Sequence, residues 1–480
     1  MKKTILLGII LAAFASCKDD KKEETAVITT TEIAGIAPMS DAVMESSVIY
    51  EANIRQYSPE GTFAAFTKDI PQLKKLGVKV LWVMPIYPVS MKNRKATGEL
   101  SVEDIKDPKE REKYLGSYYA ISDYTAINPD MGTLEDFQEL VKTAHDNDIY
   151  VILDWVANHT GWDHEWITEH PEYYYKNADG EVTDPLNPET GESHGWTDVA
   201  HLDYTSKELY EPMTKEMLYW VKEQNIDGFR CDVADNVPTA FWEYAIPKLR
   251  DVKPIFMLAE SEKDYLLKDN LFDMGYGWEA HHIMNDIAKG NKSVRDWDNY
   301  ITKKDSVFEA DDILMYFTSN HDENSWNGTE YERMGDAAET FAALTYMIEG
   351  MPLIYSGQEY DFDRRLKFFE KDSITKEKKK MYAVYEKFAL LKNNNTALNG
   401  GKDAASYTRI ATSDDTNIYA ISREKDESKV WYIANLSDSG RTITLPIEGE
   451  FTNYMTGEKI TLAKNQMHEL KAWQYYILTK

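Results

Sequence analysis

Short apolar runs recur along the chain, and most are followed by a loop and an amphipathic stretch. The clearest runs lie in SVIYEANIRQYS, VKVLWVMPIYPV, YVILDWVA, DGFRCDV, PIFMLAE, LMYFTSNHD and PLIYSGQE. They are rich in β-branched and aromatic residues, which is typical of strands buried on both faces of a parallel sheet. The stretch FAAFTKDIPQLKKLG, ending at Gly77, has the pattern of an intervening helix. The alternation predicts successive βα units.

Two regions depart from this alternation. Residues 159–204 are rich in Trp, Tyr, His, Gly and Pro and are too many for a simple loop, so they predict an excursion subdomain after the third strand. From about Asn399 onward, short alternating runs such as KVWYIANLS and RTITLPI predict a C-terminal all-β domain over 399–480, a β-sandwich. We therefore expect an α/β fold, with a (β/α)8 barrel over 46–398.

Composition narrows the class of protein. The chain has 480 residues, of which 42% are hydrophobic and 12% aromatic, as expected for a globular protein. Its formal net charge of -28 would repel nucleic acid and anionic lipid headgroups. We therefore expect no nucleic-acid partner, and the acidity itself indicates solubility.

The N-terminus has the pattern of an export signal. Lys2 and Lys3 precede the apolar run ILLGIILAAF, and small residues then lead to Cys17. Residues 1–17 resemble a bacterial lipoprotein signal, which implies acylation of Cys17, and KDDKKEE resembles the tether of surface-exposed Bacteroidetes lipoproteins. Residues 18–45 are polar and aperiodic, which predicts a flexible linker. We expect an exported protein, lipid-anchored to the outer membrane, with the membrane face undecided. A plain secretory signal stays open as the alternative.

Cys231 is the second of the two cysteines, so no internal disulfide is expected. Alternation along a strand points its side chain away from Asp232, and a neighbouring carboxylate would disfavour a thiolate. Cys231 is therefore expected to be a buried packing residue.

Charged and polar residues gather where four of the apolar runs end. In a (β/α)8 barrel the active site is built at the carboxyl ends of the strands, so these residues predict one site. They are Asp154, Asn158 and His159 at the end of the third run, Arg230 and Asp232 at the end of the fourth, Glu260 at the end of the fifth, and Asn320, His321 and Asp322 at the end of the sixth.

Their types suit the cleavage of a glycosidic bond. A retaining glycosidase needs an ionised nucleophile and a protonated acid on neighbouring elements, and Asp232 and Glu260 lie one βα unit apart. Arg230 is two residues before Asp232, on the same side of the strand, and should favour its ionised form. Glu260 ends the apolar run FMLA, so desolvation should make it hold its proton. Asp322 can stabilise positive charge at the anomeric carbon.

The chain resembles the α-amylase family, glycoside hydrolase family 13, over about residues 48–480. The resemblance rests on motifs that occur in the order of that family, namely GVKVLWVMPI, DWVANH, GFRCD, LAE, SNHD and GMPLIYSGQE. The resemblance implies a retaining α-glucan hydrolase that cleaves α-1,4 bonds of starch, glycogen or maltooligosaccharides through a covalent glucosyl-enzyme intermediate. It implies Asp232 as nucleophile, Glu260 as acid/base and Asp322 as stabiliser, with Tyr119, Asp123, His159, Arg230 and His321 binding substrate, Asp154 supporting the site and Asn158 at the usual calcium-ligand position.

Departures from the family pattern bear on calcium and on the acceptor side. Asp235 and Asn236 stand where many members have Lys-His, and His201 stands where many place a calcium-binding Asp. Calcium prefers a shell of oxygen ligands. We therefore expect weak calcium binding at Asn158 or none.

Several alternatives stay open at this point. An α-1,6-active or transglycosylating relative, of the neopullulanase or oligo-1,6-glucosidase type, fits the same motifs. A non-catalytic glucan-binding lipoprotein would have lost catalytic carboxylates, which this chain keeps. Tyr119 can be a platform under the sugar or a core residue. The aromatic segment from Trp162 to Tyr175 can be a sugar-binding surface or the core of the excursion. The oligomeric state is left open.

Overall fold

The computed structural model describes residues 36–98, 100–187 and 190–480. The predicted signal peptide over 1–17 and most of the predicted linker lie outside these residues. A first helix, Asp41–Ser46, begins inside the range 18–45, and its Glu45 is buried and accepts a hydrogen bond from the Asp403 amide at 2.7 Å. The linker prediction was therefore wrong at its end, because this helix packs against the folded domain.

Eight parallel strands close into a barrel, as predicted. Their order follows the chain, and Ile49 of the first strand pairs with Val80 of the second and Leu353 of the last. The strands are β1 Ile49–Ala52, β2 Val80–Val83, β3 Tyr150–Trp155, β4 Gly228–Cys231, β5 Phe256–Ala259, β6 Met274–Tyr276, β7 Ile313–Tyr316 and β8 Met351–Tyr355.

Helices follow the strands around the barrel. The helix Leu134–Asp146 shows why a helix forms where the pattern predicts one. Thr133 and Asp136 make a reciprocal capping box at its start, and Phe137 and Leu140 are buried on one face. The other α-helices are Ile54–Tyr57, Phe63–Thr67, Ile70–Leu76, Pro108–Arg111, Trp166–Glu169, Tyr210–Lys222, Thr239–Arg250, Trp278–Ala288, Val294–Val307, Glu330–Met334, Ala338–Met347 and Lys380–Asn394.

The predicted excursion follows β3. A short strand, His159–Gly161, pairs antiparallel with Val199–His201 and ties the two ends of the excursion together. Trp166, Tyr173 and Tyr174 are buried in an apolar core that the excursion shares with the barrel, so these three residues are core residues rather than an exposed sugar-binding surface. A second small hairpin pairs Lys95–Thr97 with Leu100–Ser101, in the charged insert that follows β2.

The C-terminal domain is antiparallel and all-β, as predicted. It consists of a six-stranded and a two-stranded sheet whose side chains share one apolar core. It is joined to the barrel by hydrogen bonds such as Tyr432 Oη to the Thr340 carbonyl at 2.9 Å. Its strands are Ser406–Arg409, Ile418–Lys425, Ser428–Asn435, Arg441–Thr444, Gly449–Asn453, Lys459–Leu462, Met467–Leu470 and Tyr475–Thr479.

The described part of the chain contains no helix of sufficient length and apolar character to cross a membrane. Cys231 is fully buried in β4 with a free thiol, whose pKa burial raises, as expected for a packing residue.

Candidate active site

A cavity of about 430 Å³ opens at the carboxyl ends of the barrel strands. Asp232, Glu260, Asp322, His159 and His321 all line it. Five side chains from four separate strand ends therefore meet in one place, as the pattern of the sequence predicts.

Arg230 is the centre of this arrangement. Its side chain is fully buried, and its Nη1 donates to Asp154 Oδ1 at 2.8 Å and to Asp232 Oδ1 at 2.9 Å. Its Nη2 forms an ion pair with Glu260 Oε2 at 2.8 Å, and its Nε donates to the Tyr276 hydroxyl at 3.2 Å. One guanidinium thus holds the proposed nucleophile and the proposed acid on its two terminal nitrogens, which fixes them beside each other.

The two carboxyls differ in acidity in the expected order. Desolvation by burial raises the pKa of Glu260 to about 7, although Arg230 opposes the rise. Burial also raises the pKa of Asp232, to about 6, again against Arg230. We expected the cation to dominate at Asp232, but its desolvation is the larger effect. Between these values Asp232 is mainly ionised and Glu260 mainly protonated.

His321 links the stabilising carboxylate to the first strand. Its Nδ1 lies 2.5 Å from Glu51 Oε1 of β1, and its Nε2 lies 3.3 Å from Asp322 Oδ2. Burial lowers the pKa of His321, but Asp322 and Glu51 more than reverse this and raise it to about 9. His321 is therefore a cation at neutral pH, and it can donate to a sugar hydroxyl or hold Asp322 in place.

Tyr119 is both a core residue and a wall of the cavity. Its ring lines the cavity with only 9% of its surface exposed. Its hydroxyl lies 3.1 Å from Asp154 Oδ2 and 2.8 Å from His321 Nε2. Tyr119 can therefore be both a core residue and a platform under the sugar. Its hydroxyl is hydrogen-bonded within the site, and its ring lines the space that a substrate would fill.

Asp154 is a buried support rather than a lining group. Besides Arg230 and Tyr119, it accepts a hydrogen bond from Trp82 Nε1 at 3.1 Å. Burial raises its pKa to about 6. The Trp82 ring also packs against Arg230, whose guanidinium carbon Cζ lies 4.9 Å from the centroid of the ring. Contacts with Asp154 and Trp82 therefore hold the Arg230 side chain in position.

His159 lines the cavity on the side of the excursion. Burial lowers its pKa to about 3, so its imidazole is neutral at physiological pH. The Trp196 ring, which also lines the cavity, lies 6.0 Å from the His159 ring. A neutral imidazole can both donate to and accept from a sugar hydroxyl.

Asp123 does not line the cavity, in contrast to the prediction. Its side chain is exposed, and its Oδ1 accepts hydrogen bonds from the Thr125 and Ala126 amides at 2.8 and 3.1 Å. It shapes the turn that follows Tyr119 instead of contacting the space near the catalytic carboxylates. The sequence YAISDYTAIN could not distinguish these roles, because both require a carboxylate near Tyr119.

The surroundings of Asn158 do not suit calcium. Its Nδ2 lies 3.2 Å from His159 Nδ1, and His201 pairs with His159 across the excursion hairpin. Imidazole and amide nitrogen are poor ligands for a hard cation that prefers oxygen. Within residues 36–98, 100–187 and 190–480, no three or more His, Cys, Asp or Glu side chains are grouped so that they could hold a metal ion.

Several residues of the site were missed by the sequence reasoning. Glu51 and Trp82 sit inside apolar strands and contact His321 and Asp154. A charge in the middle of the first predicted strand was the available signal for Glu51. Val233 gave none: its amide donates to Glu260 Oε2 at 2.8 Å from a left-handed backbone, φ 37° and ψ 51°. A β-branched residue rarely adopts this conformation, so Val233 stores strain beside both catalytic carboxyls.

The rest of the cavity has two unlike walls. One is polar and comes from the excursion and the small hairpin, where Lys95 Nζ lies 4.0 Å from Asp198 Oδ1 and donates to the Gly195 carbonyl at 2.6 Å. The other is aromatic and consists of Tyr119 with Trp326, Phe368 and Phe369, from the segments that follow β7 and β8.

Comparison with known proteins gives a consistent result. Residues 40–266 match the family model described as alpha amylase, catalytic domain. The alpha-amylase MalA of Haloarcula japonica is 25% identical over 452 residues, covering 90% of this chain and 62% of that protein. An alpha-1,4-glucan:maltose-1-phosphate maltosyltransferase of Cereibacter sphaeroides is 32% identical over 243 residues, covering 48% of this chain and 39% of that protein.

Solved structures agree on the fold. The noncanonic maltogenic alpha-amylase AmyB of Thermotoga neapolitana is 26% identical with a TM-score of 0.78, covering 91% of this chain and 99% of that one. An alpha-amylase of Lactobacillus plantarum is 28% identical with a TM-score of 0.77, covering 92% and 100% of the two chains. The barrel and the C-terminal domain thus both have counterparts in these structures.

Proposed function

We propose, from the premise that this chain carries the catalytic domain of the α-amylase family over residues 40–266, that it is a retaining hydrolase of α-1,4-glucosidic bonds in starch, glycogen or maltooligosaccharides. The observation that carries this proposal is the pairing of Asp232 and Glu260 on one buried guanidinium. Two carboxyls held side by side with different acidities are what a double displacement at an anomeric carbon requires.

In the first step, Glu260 gives its proton to the glycosidic oxygen as the bond from that oxygen to the anomeric carbon breaks. An oxygen of Asp232 forms a bond to the same carbon from the opposite face, which yields a glucosyl ester and a sugar with a free hydroxyl. Asp322 lies beside His321 at the cavity and faces the positive charge that develops on the ring. Glu260 is left ionised, and the Arg230 cation at 2.8 Å stabilises that charge.

In the second step, ionised Glu260 takes a proton from water, whose oxygen attacks the anomeric carbon and displaces Asp232. The ester bond breaks, the anomeric configuration of the substrate is restored, and both carboxyls return to their starting states. The amide of Val233 and the Arg230 guanidinium hold Glu260 in the same place through both roles.

The choice of acceptor separates this proposal from its alternative. The same ester can be attacked by a sugar hydroxyl, which makes the enzyme a transferase, and one of the relatives described above is a maltosyltransferase. The chain spans 62% of the length of MalA and 39% of that of the Cereibacter sphaeroides protein, so their activities do not carry over as they stand. An α-1,6-active relative uses the same carboxyls.

A time course on soluble starch, maltoheptaose, pullulan and isomaltose tests the proposal. We expect starch and maltoheptaose to be cut, with newly formed ends in the α configuration by proton NMR. β-anomeric products would contradict retention. Products longer than the substrate would favour transfer, and cleavage of isomaltose before maltoheptaose would favour the α-1,6 reading. No turnover of any α-glucan would reject the hydrolase.

We also propose that the enzyme is exported and held on the outer membrane through an acylated Cys17. The run of apolar residues before Cys17 and the acidic stretch after it support this placement. Membrane fractionation of wild type and Cys17→Ala tests it. Loss of the protein from the membrane fraction in the variant is the expected result, and equal distribution of the two would contradict it.

A further inference from the structure

The first barrel strand carries a carboxylate that the catalytic steps do not use. Glu51 lies in β1, and Ile49, two residues earlier on the same side of the strand, belongs to an apolar cluster that strands around the barrel share. Backbone pairing with Trp82 of β2 and Tyr355 of β8 fixes the place of Glu51 in the barrel. Its side chain is fully buried. An acidic group is thus held away from solvent at the carboxyl end of β1.

The two carboxylate oxygens of Glu51 have different surroundings. Oε1 lies 2.5 Å from His321 Nδ1. Oε2 is buried and has no hydrogen-bond partner among the residues that the structure describes. A buried carboxylate oxygen without a partner costs folding free energy, so packing alone does not account for an acid at this position. What the acid provides here is its contact with His321.

The second ring nitrogen of His321 also faces acceptors. Tyr119 donates its single hydroxyl proton to Asp154 Oδ2 at 3.1 Å. The Tyr119 oxygen, 2.8 Å from His321 Nε2, is therefore left to accept. Asp322 Oδ2, 3.3 Å from the same nitrogen, is an acceptor when it is ionised. Only the imidazolium form, with a proton on each nitrogen, satisfies both sides of the ring.

The charges around the ring act in both directions. Burial lowers the pKa of His321 and the Arg230 guanidinium lowers it further, but Asp322 and Glu51 outweigh both and raise it to about 9. Burial raises the pKa of Glu51 itself, and His321 opposes that rise. Asp154 also interacts favourably with the ring charge. Glu51 supplies the negative charge beside Nδ1, and Asp322 supplies it beside Nε2.

We propose that Glu51 is a positioning residue that acts through His321. By accepting the hydrogen bond from Nδ1, it keeps the ring doubly protonated, so that Nε2 is always a donor toward Asp322 and Tyr119. Glu51 does not line the cavity and touches no substrate. Its effect on the rate rests on the glucan hydrolysis proposed above. Without its charge the ring should lose a proton at lower pH, and Asp322 would then lose the donor that holds it.

Nitrogen NMR of isotope-labelled histidine measures the charge on His321 directly, with the resonances assigned by a His321→Gln variant. In the wild type both ring nitrogens should stay protonated from about pH 5 to about pH 8. Glu51→Gln keeps the size of the side chain but not its charge, so the ring should lose a proton at least about one pH unit lower. An unchanged titration in this variant would overturn the proposal. A wild-type ring that is neutral at about pH 7 would overturn it without any variant.

A second buried acid beside β1 provides the matched control. Glu359 is fully buried and accepts a hydrogen bond from the Tyr50 hydroxyl at 2.7 Å. Glu359→Gln therefore removes a buried carboxylate that is bonded to the same strand but not to His321. It should leave the His321 titration unaltered. An equal displacement in Glu359→Gln would show that any loss of buried charge changes the ring, and would overturn the specific role of Glu51.

Rates show whether the ring charge matters for the reaction. The ratio of kcat/KM on maltoheptaose, Glu51→Gln to wild type, should be about tenfold lower at pH 8 than at pH 6. The reason is that the ring is charged in both proteins at the lower pH but only in the wild type at the higher one. Taking the ratio at each pH removes the ionisation of Glu260, which both proteins share. A ratio that is equally low at both pH values would indicate a structural loss only and would overturn the positioning role.

The spectra separate this inference from the proposed hydrolysis. If the wild type cleaves no α-glucan but Glu51→Gln still moves the His321 titration, the hydrolase proposal fails and the control of the ring charge by Glu51 stands. If starch is cleaved and the titration does not move, the hydrolase stands and the role of Glu51 is rejected.

Discussion

Carboxylates cluster at both ends of the barrel, but they differ in burial and in their pairing with cations. At the carboxyl end, Asp154, Asp232 and Glu260 surround the fully buried Arg230. At the amino end, a second cavity of about 180 Å³ is lined by acidic side chains that precede the strands, with one basic residue. They are Asp41, Glu45, Asp269, Asp273, Glu309, Asp311, Asp312 and Lys402.

The two clusters differ in solvent exposure and in whether the carboxylates share a buried cation. Most of the amino-end carboxylates are exposed, and the Lys402 side chain, 51% exposed, reaches Asp41 only at 3.2 Å. Such pairs are screened and contribute little. At the carboxyl end, Asp232 and Glu260 are mostly buried beside the cavity, and this burial raises their pKa values toward neutrality while Arg230 limits the rise. Burial around a cation, rather than the number of carboxylates in a cluster, thus marks acidic residues as catalytic candidates.

Replacing a carboxyl at each end should give the largest contrast. Asp232→Asn removes the nucleophile and Glu260→Gln the acid, so starch hydrolysis should fall about a thousandfold or more in each, with glucan binding still measurable. Asp312→Asn, at the amino end, should stay within about twofold of wild type. Reducing-end assays with calorimetric binding decide this. Near-wild-type turnover in either catalytic variant would exclude the assigned roles.

The pH dependence of kcat/KM should report the two buried catalytic carboxyls, Asp232 and Glu260. Below about pH 6 Asp232 becomes protonated, so the nucleophile is lost and kcat/KM falls as pH falls. Above about pH 7 Glu260 becomes ionised, so the acid is lost and kcat/KM falls as pH rises. Each limb should approach tenfold per pH unit, giving a narrow bell. A rate that is constant from pH 5 to pH 9 would show that these two groups do not control the reaction.

The strain at Val233 should be visible in stability. Val233→Gly removes the steric strain of a left-handed backbone at a β-branched residue and should raise the free energy of unfolding by about 1 kcal/mol. Loss of the packing of the half-buried Val233 side chain reduces this gain. Ala234→Gly, one residue later, has no such strain to relieve and should lower it by about 1 kcal/mol. Urea unfolding of the two variants measures both. A loss of similar size in Val233→Gly would mean that its backbone is not strained.

Removal of divalent cations should have the smallest effect. The donor set around Asn158 does not suit calcium, and the exposed amino-end carboxylates are largely free to be solvated. We expect excess chelator to leave the Tm nearly unchanged, as measured by calorimetry against buffer alone. A large drop that added calcium restores would instead show that a cation stabilises the fold.

Much of the site followed from local pattern. The apolar runs ended where the strands end, and Arg230 and Asp232 share a side of β4 because strand side chains alternate. Glu260 was expected to be the weaker acid because it ends a buried run, and the order of the two pKa values agrees. Asp123 was misassigned because its motif fixes its neighbourhood but not the direction in which its carboxylate points.

The sequence by itself determined the barrel, the excursion, the C-terminal domain and the set of strand-end carboxyls, since each depends on periodicity within a few residues. Only the tertiary structure decided which distant side chains touch. Glu51 holds His321 from 270 residues away, and Phe368 extends Tyr119 from the last barrel loop. Closing the barrel brings these together, and the loss of water that follows sets the acidity of Asp232. The local order of residues predicted the desolvation of Glu260, but it predicted neither the desolvation of Asp232 nor these long-range contacts.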